Sequence, residues 1–323
     1  MSDKQTILNQ LFNHQDTYFS GDQLAQQLNI SRTMVWKHIQ ALKEDGFMIE
    51  SKRNAGYRLL PGYSLNAALI QSNLTMPTQV ETFTTIDSTN TYLKNFLTNH
   101  SLKSPMAVIA EQQTNGYGRF KRNYYSPAHG GLYLSLCIPL TQTLKPSLLT
   151  TSVAVGVLHI LQQFFPEQNF SVKWVNDIYA NGKKIVGILT EATTDLESLS
   201  PTDVVIGIGI NLTTEHFPAE LKDKAQAAGT KLPADINLIA AKLINEIEVI
   251  AQDYQTGKYL TEYRQKLNLM NREVALQVGK KQITGVVQDV NDDGGIVIKM
   301  EDGSCQPFYS GEVKKVGCDD RLE

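Results

Sequence analysis

The N-terminal segment repeats one pattern three times: a capping residue is followed by apolar residues at helical spacing. The three caps are Ser2, Ser20 and Ser31. Gln23, three residues after the second cap, completes a capping box. After the third cap, Val35, Ile39 and Leu42 fall on one helical face, and Gly46 ends the run. The pattern predicts three short helices with a tight turn before the last one.

The residues that follow alternate in the manner of a two-stranded ribbon. Phe47 and Ile49 lead into a turn at residues 54–56, and Tyr57 and Leu59 continue after it. Pro61-Gly62 is the best candidate for a linker. Three helices and a ribbon in this order predict a winged helix-turn-helix domain over residues 1–62.

The remaining chain divides into a mixed region and a strand-rich region. Residues 63–269 contain apolar runs that predict strands at Val80–Ile86, Ala107–Ala110, Leu132–Ile138, Val172–Trp174, Lys184–Leu189 and Val204–Ile210. Two longer amphipathic runs predict helices at Lys145–Phe165 and Asp235–Tyr254. Residues 270–323 have no helical period, and their four short strands between glycine-containing turns predict a small β-barrel of SH3 type.

The third predicted helix carries polar residues on the face opposite its apolar stripe. Between Arg32 and Arg58 there are six Lys or Arg residues against three Asp or Glu residues. A recognition helix needs this division to enter the major groove, while a basic wing contacts the backbone or minor groove. The predicted DNA-binding residues are Ser31, Arg32, Thr33, Trp36, Lys37, Gln40, Lys52 and Arg53. The plainer alternative is a three-helix protein-interaction unit with a solvated face.

Composition narrows the class of protein. The 323 residues have a net charge of −3, so any nucleic-acid contact must come from a local patch. Three cysteines without a CxxC pair (Cys137, Cys305, Cys318) and six scattered histidines argue against a disulfide framework or a structural zinc site. No apolar run approaches the length needed to span a bilayer, and residues 1–5 lack the apolar core of a signal peptide. We therefore expect a cytoplasmic protein with no membrane partner.

Four segments of the middle region carry candidate chemistry. Asp87–Asn90 combines hydroxyls with a helix start, although a plain N-cap explains it equally well. The long basic loop 111–127 contains two glycines through which backbone amides could approach phosphates. Segment 173–191 places a lysine, Lys184, at the start of an apolar strand. Segment 207–211 has glycines inside a strand, a pattern that often marks close approach of a ligand.

Taken in order, these segments resemble the bifunctional biotin–protein ligases and biotin operon repressors of bacteria. The resemblance covers essentially the whole chain, and its most specific parts are Asp87-Ser88-Thr89-Asn90, the loop near 116–122, Lys173-Trp174-x-Asn176-Asp177, Lys184-x-x-Gly187-Ile188-Leu189 and Gly207-x-Gly209-Ile210-Asn211. It implies an α+β multidomain fold: a winged helix-turn-helix, a mixed α/β ligase domain of the class II synthetase/biotin ligase type, and an SH3-like β-barrel.

The resemblance also implies a reaction and its partners. Biotin and Mg-ATP give biotinyl-5′-AMP and diphosphate, and biotin then passes to a lysine of the biotin carboxyl carrier protein of acetyl-CoA carboxylase or pyruvate carboxylase. The adenylate-loaded protein would form a homodimer and repress biotin genes through their operator DNA. Mg²⁺ would arrive with ATP, near Asp177, without a dedicated protein site.

The roles of site residues are likewise carried over from the family. The implied catalytic residues are Lys184, Arg119 and Asp177. The implied biotin-binding residues are Ser88, Thr89, Asn90, Gln113, Tyr117, Gly118, Arg119 and Lys184. The implied ATP and adenylate residues are Gly116, Arg119, Arg122, Tyr124, Asn176 and Asn211. A positive field makes physical sense here, because the biotin carboxylate and the α-phosphate repel each other.

The sequence departs from the family pattern in its glycine loop. Tyr117 replaces the first arginine of GRGRxGR, Phe120-Lys121 replaces the following x-Gly, and Tyr124 replaces a tryptophan. Val175 stands where KWPND has proline. We expect weaker retention of the adenylate. Two alternatives stay open: a biotin-sensing repressor without ligase activity, and a ligase of lipoate or octanoate.

Overall fold

The computed structural model describes residues 2–15, 17–194 and 201–316, and Cys318 therefore lies outside the described residues. The N-terminal domain contains helices α1 (Asp3–Asn13), α2 (Gly21–Leu28) and α3 (Arg32–Glu44), followed by a ribbon of strands β1 (Ile49–Lys52) and β2 (Gly56–Leu59). The predicted caps are confirmed, since Ser2, Ser20 and Ser31 each accept a backbone N–H, and Ser20 with Gln23 forms a full capping box.

The N-terminal domain has its own hydrophobic core. Val35, Ile39 and Leu42 are buried in it, which confirms the predicted inner face of α3. This core also buries Leu69 of the next helix, α4 (Ala67–Ser72), so it does not end at the Pro61-Gly62 linker. The backbone amide of Ile236 also donates to the carbonyl of Gly62. The domain boundaries remain predictions. At the first boundary, near residue 62, side-chain packing continues from the N-terminal domain into the central region.

The central region is built on a seven-stranded mixed sheet. Its strands are β3 (Gln79–Ile86), β4 (Met106–Gln113), β5 (Gly131–Pro139), β6 (Phe170–Lys173), β7 (Asp177–Ala180), β8 (Lys183–Thr194) and β9 (Pro201–Asn211). Their order in the sheet is β3-β4-β5-β9-β8-β7-β6, with β3 parallel to β4 and every other neighbouring pair antiparallel. Strand alternation puts Val108 in one hydrophobic cluster and Ala107 and Ile109 in another, so both faces of the sheet are covered.

Helices cover the two faces of this sheet. Helix α5 (Thr89–Asn99) packs on one face, and α6 (Pro146–Phe164), α7 (Ile236–Asp253) and α8 (Leu260–Lys266) belong to the other side. By length and composition α6 could cross a bilayer, which contradicts the expectation that no apolar run is long enough. However, 78% of its apolar window is buried inside the protein, as is usual for a core helix.

The C-terminal region is a five-stranded antiparallel sheet, which adds the strand Glu312–Val316 to the four that the sequence predicted. Its strands are β10 (Glu273–Val278), β11 (Lys281–Val290), β12 (Ile296–Lys299), β13 (Cys305–Phe308) and β14 (Glu312–Val316), in the order β13-β12-β11-β10-β14. Val274, Leu276 and Ile298 join the same core as the central helices. This packing brings the start of β14 close to the central sheet.

Candidate active site and DNA-facing helix

A cavity of about 250 Å³ lies where the central sheet, the N-terminus of α5, the glycine loop and the start of β14 meet. Twelve of the fourteen residues predicted for biotin, ATP or catalysis line it: Ser88, Thr89, Asn90, Gln113, Tyr117, Gly118, Arg119, Arg122, Tyr124, Asn176, Asp177 and Lys184. They come from segments that are far apart in sequence. The fold therefore assembles one site from the four candidate segments.

One end of the cavity carries opposite charges at short range. Lys184 Nζ, near the start of β8, lies 2.8 Å from Asp177 Oδ1 at the start of β7, because these strands are antiparallel neighbours. Arg119 Nη1 lies 3.5 Å from Asn176 Oδ1, and Asn176 in turn donates to the carbonyl of Ile188 at 2.7 Å. Burial lowers the pKa of Arg119, and nearby Asp177 partly opposes that shift. Arg119 and Lys184 therefore place two positive charges at this end of the cavity, where they can bind an anion.

Lys173 adds a third cation to this end of the cavity. It lies on β6, and burial lowers its pKa although the charge of Asp177 acts in the opposite direction. Its ammonium lies 5.9 Å from the centre of the Tyr179 ring. Lys173 was predicted only as part of a motif, since nothing in the local sequence distinguishes it from a solvent-exposed lysine.

The other end of the cavity is neutral and rich in hydrogen bonds. Gln113 Oε1 accepts from both the backbone amide of Thr89, at 2.9 Å, and its hydroxyl, at 3.1 Å. Ser88 caps α5 by accepting from the amide of Thr91. The plain N-cap interpretation of segment 87–90 is therefore correct but incomplete, because the same residues line the cavity.

Two strand glycines admit side chains that line the cavity. A Cβ added at Gly209 would clash with the ring of Tyr124, and one added at Gly207 would clash with the amide of Asn90. The Tyr124 hydroxyl donates to the carbonyl of Gly209 at 2.7 Å, and burial strongly raises its pKa. The strand glycines were expected to leave room for a ligand. In the structure the side chains of Tyr124 and Asn90 occupy the space next to them.

Gly116 and Asn211 do not line the cavity, although both were predicted to contact ATP. Gly116 is packed against Gln113, Ser126 and the Tyr124 carbonyl, where a Cβ would be too close. Asn211 is 5% exposed, and its Oδ1 has no hydrogen-bond partner among the described residues. Gly116 therefore shapes the loop, while Asn211 offers an unused acceptor at the end of β9.

A contact from the C-terminal region was missed by sequence reasoning. Arg122 of the glycine loop makes a two-pronged ion pair with Glu312, with Nη2 2.8 Å from Oε2. Glu312 and Val313 both line the cavity. The partners lie 190 residues apart, so no local pattern could have revealed the pair.

Seven of the eight predicted DNA-binding residues are exposed. Ser31, Arg32, Thr33, Trp36 and Lys37 on α3 and Lys52 and Arg53 on the ribbon are exposed, and Gln40 is half-buried. Trp36 is 52% exposed, which is unusual for so large an apolar side chain. Arg32 pairs with Asp22 of α2 at 3.5 Å. Arg58, on strand β2 of the ribbon, donates to Glu50 at 2.7 Å.

Three segments of the chain match three known protein families. Residues 3–58 match the HTH domain family, residues 82–211 the biotin/lipoate A/B protein ligase family, and residues 269–316 the biotin protein ligase C terminal domain. The bifunctional ligase/repressor BirA of Escherichia coli (strain K12) is 32% identical over 306 residues, which cover 92% of each protein. BirA of Bacillus subtilis (strain 168) is 30% identical over 92% of this chain and 94% of its own length. The chain belongs to the BirA family of bifunctional ligase/repressors.

Solved structures support the ligase fold of this BirA-family chain. The biotin protein ligase from Aquifex aeolicus in complex with biotin and ATP is 27% identical, with a TM-score of 0.57, and covers 73% of this chain and 97% of that one. The apo structure of the same ligase is 25% identical with a TM-score of 0.60. The fold class predicted from the sequence is confirmed. Among the described residues there is no group of three or more His, Cys, Asp or Glu residues that could hold a metal ion.

Proposed function

We propose that this chain is an ATP-dependent biotin–protein ligase that also represses transcription of biotin genes. The observation that carries the ligase half is the cavity itself: a neutral, hydrogen-bonding end at Thr89 and Gln113 and a cationic end at Arg119 and Lys184. Biotin has the matching polarity, with a polar ring system at one end and a carboxylate at the other.

In the first step, a carboxylate oxygen of biotin attacks the α-phosphorus of ATP, and the bond to the β-phosphate breaks. Diphosphate leaves and biotinyl-5′-AMP remains. Lys184 and Arg119 counter the repulsion between the two anions, and holding both in one cavity contributes by proximity. Asn176, which lines the cavity, suits the polar edge of adenine.

In the second step, the neutral amine of a carrier lysine attacks the carbonyl carbon of the adenylate, and AMP leaves. We propose that the carboxylate of Asp177, which pairs with Lys184 at 2.8 Å, attracts the incoming lysine and takes up its proton. The carrier would be the biotin carboxyl carrier protein of acetyl-CoA carboxylase or pyruvate carboxylase.

Magnesium fits this cavity as a companion of ATP. The acidic residues that line the cavity are Asp177 and Glu312, and each is paired with a cation, Lys184 or Arg122. When bound to the phosphates, Mg²⁺ would neutralise part of their charge, and Asp177 is the residue that would hold it there.

The repressor half rests on the exposed face of α3 and the ribbon. A helix N-terminus at Ser31 with Arg32, Lys37 and Arg53 exposed around it fits phosphates flanking a major groove. We propose that operator DNA of biotin genes binds here to a homodimer, which biotinyl-5′-AMP promotes. Light scattering with and without the adenylate tests the dimer.

Release of diphosphate from ATP, measured with biotin and with lipoate in parallel, tests the ligase half and separates the alternatives. Biotin-dependent release followed by labelling of an apo-carrier domain is the expected result. No release with biotin present would favour a sensor without catalysis, and preferential release with lipoate would favour a lipoate-type ligase, which the matched family description also includes.

A further inference from the structure

The side chains at the neutral end of the cavity are linked by a continuous chain of hydrogen bonds. Gln113 Nε2 donates to Ser126 Oγ at 3.0 Å, and Gln113 Oε1 accepts from Thr89. Ser135 Oγ lies 2.7 Å from Thr89 Oγ1 and within hydrogen-bond distance of Asn90 Oδ1. Ser135 is fully buried, and Thr89 and Asn90 are 3% and 5% exposed. Each of these buried groups depends on its neighbour for a hydrogen-bond partner. A shift of one side chain therefore restricts the positions open to the next.

Glu191 connects this chain to the glycine loop. Its Oε2 accepts from Asn90 Nδ2 at 3.1 Å and from the hydroxyl of Tyr117 at 3.0 Å, and its Oε1 accepts from Lys94 Nζ at 2.9 Å. The ring of Tyr117 also has two ammonium groups near its centre, Lys94 at 5.2 Å and Lys121 at 4.0 Å. One carboxylate therefore joins β8, α5 and the loop.

This carboxylate is held in its charged form. Burial alone would raise the pKa of Glu191, but the hydrogen bonds from Lys94, Asn90 and Tyr117, together with the charge of Lys94, outweigh burial and lower it. The pKa of Lys94 is likewise raised, because the effect of burial is outweighed by its interactions with Tyr117 and Glu191, including the charge of Glu191. Charge-assisted hydrogen bonds are stronger than neutral ones, so the junction resists opening.

The glycine loop is held at a second place by the Arg122–Glu312 ion pair. Between these two anchors, the amide of Gly118 donates to the carbonyl of Arg122 at 2.8 Å, and Arg119 lies in the cavity. Of the two anchors, within the part of the chain that the structure describes, only the Tyr117 anchor is connected by hydrogen bonds to Thr89 and Gln113, which form the wall of the neutral end.

We propose that Glu191 is a positioning residue: it couples the wall that recognises the polar ring of the substrate to the loop that presents Arg119. The inference rests on the proposed function only for the identity of that substrate. It follows that Tyr117 and Glu191 hold the loop against the wall formed by Thr89, Asn90 and Gln113, and that a ligand on this wall tightens the loop further through Asn90 and Glu191.

Limited trypsin digestion of the full, ligand-free chain tests this coupling, because the loop contains three cleavage sites, Arg119, Lys121 and Arg122. Glu191→Ala should speed cleavage there about tenfold, the effect expected from losing hydrogen bonds to a charged group. Glu191→Gln, which keeps an acceptor for Tyr117, should give an intermediate rate. Added biotin should protect the loop of the wild type and protect that of Glu191→Ala much less.

A matched control is Glu81→Gln, since Glu81 accepts from the Tyr92 hydroxyl at 2.5 Å without lining the cavity. Its loop cleavage should equal that of the wild type. If Glu191→Ala melts far below the wild type, Tyr117→Phe replaces it, because that change removes only the hydroxyl. Loop cleavage within twofold of wild type in a folded Glu191→Ala or Tyr117→Phe variant would overturn the proposal. Absence of biotin binding to the wild type would instead refute the proposed function, leaving the ligand-free cleavage result intact.

Discussion

The cavity and the DNA-facing helix α3 both carry positively charged side chains, but they hold these side chains differently. In the cavity, Lys184 and Arg119 are half-buried and held by partners on other strands and loops. On α3, Lys37 is exposed, with its position set by the cap at Ser31 and the buried stripe of the same helix. The first arrangement suits a small anion in a fixed orientation, and the second suits a long polyanion bound through many weak contacts.

The largest effect should come from separating the two regions. Deleting residues 1–60 should abolish operator binding in a gel-shift assay while biotin transfer continues. The truncated chain should also be less stable, because Leu69 loses the core that buries it. Operator binding by the truncated chain would refute the assignment of DNA binding to α3, and loss of transfer with the fold intact would show that the N-terminal domain supports the cavity.

The next largest effect concerns the buried cations. Lys184→Ala should reduce diphosphate release by about 30- to 1,000-fold, since a charge-assisted contact in such a site contributes on the order of 2–4 kcal/mol to the transition state. The matched control is Lys183→Ala, because the Lys183 ammonium does not line this cavity and donates to the carbonyl of Lys222. Operator binding should be unchanged in both variants without ligand. Equal rates for the two variants would contradict the role of Lys184.

An exposed cation should behave differently. Lys37→Ala should weaken operator binding several-fold and lower the slope of log affinity against log salt by about one, as expected for one lost phosphate contact. Diphosphate release should not change. Lys103→Ala, an exposed lysine of the central region, is the control. A salt slope equal to that of the wild type would exclude Lys37 from the interface.

A smaller effect is expected at Tyr117, where the family carries arginine. Tyr117→Arg places a cation against Glu191 and replaces one hydroxyl with up to five donors. We expect the adenylate to leave several-fold more slowly, as measured by stopped flow. Unchanged or faster release would mean that the tyrosine, supported by Lys94 and Lys121, already holds the loop as well as arginine does.

The smallest effect is a dependence of stability on pH away from both sites. His159 lies 2.8 Å from Glu246 and 2.9 Å from Glu262; burial would lower its pKa, but these hydrogen bonds outweigh burial and raise it. This contribution is full below the ordinary histidine pKa and is lost as pH rises through the raised value. Because the side chain is 38% exposed, it should be under about 1 kcal/mol. Urea midpoints of His159→Gln should fall below wild type at pH 5.5 and converge with it at pH 9.

The two regions also differ in how far the sequence predicts them. Ser20, Gln23 and the stripe of α3 act within one helix, so spacing alone was sufficient. The strand β7 was missed because Asp177–Ala180 is short and lacks a clear alternation. Glu191 and Glu312 were missed as site residues because their partners are distant in sequence. Local patterns gave the parts of the cavity, and only the order of strands showed how they meet.

The most direct test of the central claim is mass spectrometry of the full chain incubated with ATP and equal amounts of biotin and lipoate, followed by an apo-carrier domain. We predict the mass of biotinyl-5′-AMP bound to the protein and one biotinyl group on the carrier, and neither of these products with Lys184→Ala. A lipoyl adduct on the carrier, or no adenylate with either acid, would contradict the account.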